Sequence, residues 1–95
     1  MMNVLIIEDE ESAFENLKRI LLEIDPAIHI VSWLQSVEQS IHWFKTTNFP
    51  DLIFLDIQLK NNDNGIELGA FLNQQNIPFI YITANTEIHT LKDAV

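Results

Sequence analysis

Pro50-Asp51-Leu52-Ile53-Phe54-Leu55-Asp56 carries the clearest fold signal in the chain. Four consecutive apolar residues, β-branched and aromatic ones among them, end on a carboxylate. A continuous apolar run bounded by turn residues reads as a strand buried on both faces, the kind found in parallel sheets covered by helices. In open α/β sheets, ligands and chemistry collect beyond the carboxyl ends of the strands, and Asp56 stands at that end. Taken alone, Asp56 is better read as a turn residue. The rest of the chain changes that balance.

Upstream, Asn3 to Ile7 is a second continuous apolar run, closed by Glu8-Asp9-Glu10-Glu11. Ala13, Phe14, Leu17, Ile20, Leu21 and Ile24 then recur at spacings of three and four, which predicts a helix. Ser12 with Glu15 fits a capping box, and the preceding acids suit the positive end of the helix dipole. Asp25-Pro26 stops that helix. Ile28-His29-Ile30-Val31-Ser32-Trp33 half alternates, as an edge strand does. Ser36 with Gln39 opens a second helix with Val37, Ile41 and Phe44 on its inner face, broken by Asn48-Phe49-Pro50.

Downstream, Lys60 to Gly65 is a polar loop. Leu68, Phe71 and Leu72 mark a third helix ending around Gln75-Asn76, and Phe79-Ile80-Tyr81-Ile82-Thr83 is a fourth strand, apolar almost throughout. Thr86 to Val95 has room for the start of a fourth helix. Strand and helix alternate with short connections, so the expected class is α/β with right-handed βαβ units and a parallel sheet.

Ninety-five residues make one domain, and 47% apolar against 20% charged residues predicts a folded chain. There is no cysteine, hence no disulfide framework and no thiolate metal site. No apolar run reaches the ~18 residues of a membrane span, and the N-terminus has no signal-peptide pattern. The expected location is cytoplasmic, with no membrane partner. A net charge of −9 argues against this segment gripping nucleic acid and fits basic partners or cations.

Polar groups stand at three strand ends: Glu8 and Asp9 after the first, Asp56 after the third, Thr83 at the fourth. If those strands are neighbours, the groups converge. Three carboxylates in one small space repel one another, and without a cation at least one pKa must rise. Hard carboxylate oxygens suit Mg²⁺, which keeps several waters and leaves one carboxylate free as a nucleophile. A carboxylate can attack a phosphoryl group to give an acyl phosphate, with the Thr83 hydroxyl donating to a phosphoryl oxygen. Each signal has a plainer reading, since acids before helices are usually caps and strand threonines are usually packing residues. Their co-occurrence in this order favours a site.

Val4-Leu5-Ile6-Ile7-Glu8-Asp9-Glu10, Pro50 to Leu59, Gly65-Ile66-Glu67-Leu68 and Ile82-Thr83-Ala84 together resemble the receiver domain of two-component response regulators. Leu55-Asp56-Ile57-Gln58-Leu59 leans toward regulators with LytTR-type DNA-binding domains. The resemblance implies a flavodoxin-like three-layer fold with strand order 2-1-3-4(-5). It further implies that Asp56 is the phosphoacceptor. Asp9, Asp56 and the backbone carbonyl of Gln58 would bind Mg²⁺ directly, with Glu8 acting through water, and Thr83 would contact the phosphoryl group and move on activation. The implied donor is a phosphohistidine on a sensor histidine kinase or phosphotransfer protein, and the implied role is phosphoacceptor rather than enzyme. Three departures stand out. Lys60 replaces the family's usual proline, and its loop is one residue longer than usual. The lysine ending the family's fifth strand has no counterpart, because Lys92 falls in the fourth helix. The fifth strand and helix fall beyond Val95, so residues 1–95 read as a C-terminally incomplete receiver.

Other readings compete. A pseudo-receiver would use the same fold as an unphosphorylated interaction module. A phosphohydrolase would need a second acid where Gln58 stands, and a flavodoxin-like cofactor binder would need a phosphate-cradling loop where Glu8-Asp9-Glu10-Glu11 repels phosphate. His29, His42 and His89 lack metal-ligand spacing, and Trp33 and Trp43 read as packing residues. The apolar fourth strand predicts self-association, as a homodimer through that strand and the fourth helix.

Overall fold

The computed structural model describes residues 2–57, 59 and 65–82. In chain order these form β1 (Asn3–Ile7), α1 (Glu11–Ile24), β2 (His29–Leu34), α2 (Val37–Thr46), β3 (Leu52–Asp56), α3 (Gly65–Gln74) and β4 (Phe79–Ile82). The strands make one parallel sheet in the order β2-β1-β3-β4, as expected. Gln58, the 60–64 loop, Thr83, His89, Lys92 and the fourth helix expected over 86–95 lie outside the described residues.

Strand side chains alternate between faces, and that alternation builds the layers. Val4 and Ile6 of β1 meet Phe14 and Leu21 of α1 on one side. Leu5 and Ile7, with Ile53 and Leu55 of β3, meet Leu68 and Leu72 of α3 on the other, where Val37 and Phe44 of α2 also pack. The result is the three-layer α/β/α fold. At the starts of the central strands, Asp51 fixes the register. Its carboxylate accepts the Asn3 N–H at 2.8 Å, and its own N–H donates to the Asn3 carbonyl at 2.8 Å.

The helices depart from expectation in three places. α1 does not start from a Ser12/Glu15 capping box. Its N-cap is Glu10, without a side-chain cap bond, because the Phe14 N–H already donates to the Glu10 carbonyl at 3.0 Å. The last turn of α1 also leaves Ile24 73% exposed. Fourteen residues of helix span about 21 Å, more than the roughly 17 Å of the five-residue strand β1, so the helix overhangs the sheet.

In α2 the inner positions are Val37, Ser40 and Phe44, while Ile41 is 43% exposed. Ser40 can be buried because its hydroxyl donates to the Ser36 carbonyl at 2.7 Å, leaving no polar group unmet. The expected cap of this helix does form. Ser36 Oγ accepts the Gln39 N–H at 3.1 Å, and Gln39 Oε1 accepts the Gln35 N–H at 2.7 Å. α3 ends in a Schellman motif around Asn76, whose φ is 58°. Asn76 N–H donates to Asn73 at 3.1 Å and Ile77 N–H to Leu72 at 3.0 Å, with Ile77 and Leu72 sharing the core.

Candidate metal and phosphoacceptor site

The sheet order makes the site. β1 and β3 are parallel neighbours with Ile7 opposite Leu55, so the next residues along, Glu8 and Asp56, emerge side by side. One carboxylate oxygen from each of Glu8, Asp9 and Asp56 lies within 4.8 Å of the others. Glu8 is 1% and Asp56 2% exposed, while Asp9 is half-buried. The three acids named from the sequence are therefore brought together. Thr83 and Gln58, the other two expected site residues, lie outside the described residues.

Burial is the main force on Glu8. It pushes the carboxyl up from its ordinary 4.5 to about 8, and the Asp56 carboxyl beside it pushes the same way. The Glu10 N–H, which donates to Glu8 Oε2 at 3.2 Å, opposes this only in part. Among the described residues Glu8 Oε1 finds no hydrogen-bond partner. A buried acceptor without a donor is uncommon, and a cation is one natural remedy. The donor set fits a hard divalent ion, with three carboxylates converging and one of them half open to water.

The backbone around the acids is firmly placed. Glu8 N–H donates to the Leu34 carbonyl at 2.9 Å, and the Glu8 carbonyl accepts the Trp33 indole N–H at 2.5 Å. After β3, the Ile57 N–H donates to Ile82 of β4 at 3.1 Å, and the Ile57 carbonyl accepts the Gly65 N–H at 3.1 Å. Gly65 must be glycine, since a Cβ there would overlap the Asp56 carbonyl oxygen. Sequence reasoning placed Gly65 only at a helix start and read Trp33 only as packing. Both roles arise from how separate elements pack, Gly65 against the end of β3 and Trp33 against a residue 25 positions away, which no local pattern reveals.

The profile of the response regulator receiver domain matches residues 4–95. A transcriptional regulatory protein BtsR of Salmonella typhi is 38% identical over 88 residues, which are 92% of this chain and 36% of that protein. A sensory transduction protein LytT of Bacillus anthracis is 36% identical over 86 residues, 88% of this chain and 34% of its own length. The chain thus spans about a third of the length of these relatives. Among solved structures, the PhyR receiver domain of Erythrobacter litoralis is similar with a TM-score of 0.71 and 31% identity, covering 87% of this chain and 63% of that one. The signal receiver domain of a modulated diguanylate cyclase from Desulfovibrio desulfuricans G20 gives 0.73 and 29%, covering 99% of this chain and 74% of that one. With sheet order, acidic cluster and profile in agreement, the chain belongs to the response regulator receiver domain family.

Proposed function

We propose that this receiver accepts a phosphoryl group on the Asp56 carboxylate in a Mg²⁺-dependent reaction. The observation that carries the reading is the convergence of Glu8, Asp9 and Asp56, with a buried Glu8 oxygen that no described group satisfies. Asp9, Asp56 and the Gln58 backbone carbonyl are the proposed direct ligands, and Glu8 acts through water. Mg²⁺, when bound, supplies neutralisation of the charge that develops on the phosphoryl oxygens. Asp56 brings the nucleophile. One of its carboxylate oxygens bonds to phosphorus as the phosphorus–nitrogen bond of a phosphohistidine breaks, and the departing imidazole takes up a proton. Thr83 is the proposed donor to a phosphoryl oxygen and the residue that moves on activation.

The donor partner is a sensor histidine kinase or phosphotransfer protein. The charge of −9 supports basic protein partners over nucleic acid for this domain. BtsR is named a transcriptional regulatory protein, and transcription is the proposed output here as well. A homodimer through β4 is the proposed self-association, supported by Ile80 at 47% and Tyr81 at 39% exposure on that strand.

Acetyl phosphate with Mg²⁺ tests the reaction. Intact mass should show one added phosphoryl group, lost when a chelator removes the metal. Metal binding without any added mass would instead favour the unphosphorylated interaction module.

A further inference from the structure

We propose that Trp33 is a positioning residue for the acidic pair, its indole setting the orientation of the peptide that joins Glu8 to Asp9. The inference rests on the metal-dependent reading above. Both polar backbone groups of Glu8 are held by consecutive residues of β2. The Glu8 N–H donates to Leu34 at 2.9 Å, continuing the strand ladder one residue past β1. The Glu8 carbonyl, already beyond the ladder, accepts from Trp33 Nε1 at 2.5 Å. A peptide unit is planar, so fixing this carbonyl also fixes the amide of Asp9 and the direction in which Asp9 leaves Glu8.

The ring that makes this bond is itself held. Trp33 stacks on Phe14 with centroids 4.4 Å apart and planes 3° from parallel. Phe14 lies in the first turn of α1, its N–H bonded to Glu10 at 3.0 Å, and the Lys18 ammonium sits 6.0 Å from its ring centroid. One aromatic pair therefore ties the acidic loop to α1, which follows it directly, and to β2 further along the chain. Packing alone would be served by any large ring, but the hydrogen bond needs the indole, a donor only. Outer partners of this kind orient metal ligands, and their loss typically weakens metal binding ~10–100-fold.

The test separates the bond from the packing. Trp33→Phe keeps an aromatic face against Phe14 and removes the donor. Followed by amide shifts of the whole chain, its Mg²⁺ Kd should rise roughly tenfold, the low end of that range. Ile30→Ala thins the same α1 cluster without touching the loop. It should lower the melting temperature and leave Mg²⁺ affinity unchanged. In a Trp43→Phe background the remaining indole is Trp33, whose emission should change with the same Mg²⁺ midpoint as the Glu8 and Asp9 amides.

Wild-type binding with unchanged affinity in Trp33→Phe overturns this inference alone. So does an Ile30→Ala variant that loses affinity equally at a matched melting temperature. Should Trp33→Phe fail to fold, the emission decides, and a Trp33 signal indifferent to saturating Mg²⁺ overturns the proposal. A wild-type chain that binds no Mg²⁺ removes the metal-dependent reading and this inference with it.

Discussion

β1 and β3 run through the middle of the sheet with Val4, Leu5, Ile6, Ile7, Ile53 and Leu55 all closed to solvent, whereas β2 and β4, the edge strands among the described residues, keep most residues partly exposed. The two pairs do different work. Central strands carry their terminal carboxylates, Glu8 and Asp56, into a dry environment where charge is costly, and burial raises the Glu8 pKa. Edge strands surround that site. β2 clamps the backbone of Glu8 through Leu34 and Trp33, and β4 holds the peptide after Asp56 through Ile82. In the proposed reaction, the buried middle of the sheet supplies the reacting carboxylate and the flanking strands supply its aim.

The sharpest way to break this contrast is to shorten one side chain in each kind of strand. Ile53→Ala, at a fully buried position between the sheet and α3, should cost about 2–5 kcal/mol of unfolding free energy in urea. Ile80→Ala, at a position 47% exposed, should cost less than about 1.5 kcal/mol, because little of its surface leaves water on folding. Equal losses would mean that β4 is as deeply packed as β3, and the division of labour would fall.

A smaller effect sharpens the electrostatic half of the comparison. Glu8 holds its proton more tightly in the folded chain, near 8, than at its ordinary 4.5. Between those values the folded state binds more proton than the unfolded one, so this group makes metal-free stability fall as pH rises from about 4.5 to about 8. The melting temperature of wild type relative to Glu8→Gln should therefore decline across that window and level off above it. Millimolar Mg²⁺ should restore part of the loss at the alkaline end. Parallel pH curves for the two proteins would contradict the burial argument.

Much of this was legible in the sequence because strands and sites obey local rules. The runs Val4-Leu5-Ile6-Ile7 and Leu52-Ile53-Phe54-Leu55 announced buried strands, and the acids closing them announced the cluster. The Ser36/Gln39 cap was readable for the same reason, since its partners are three residues apart. What escaped depended on other elements. Ser12 and Glu15 had the capping pattern, but the turn closed earlier, with Phe14 N–H on Glu10. Ile24 and Ile41 continued apolar stripes, yet one helix outruns the sheet and the other turns Ser40 inward. Trp33 and Glu8 are 25 residues apart, and no spacing rule foretells their bond.

The central claim is that Asp56, rather than Glu8 or Asp9 beside it, takes the phosphoryl group. Borohydride reduces an acyl phosphate to the alcohol and so leaves a permanent mark on the carboxylate that carried it. After acetyl phosphate and Mg²⁺, peptide mapping of the reduced chain should find that mark at position 56 alone, and Asp56→Asn should carry none. A mark at Glu8 or Asp9, or an undiminished one in Asp56→Asn, would contradict the account.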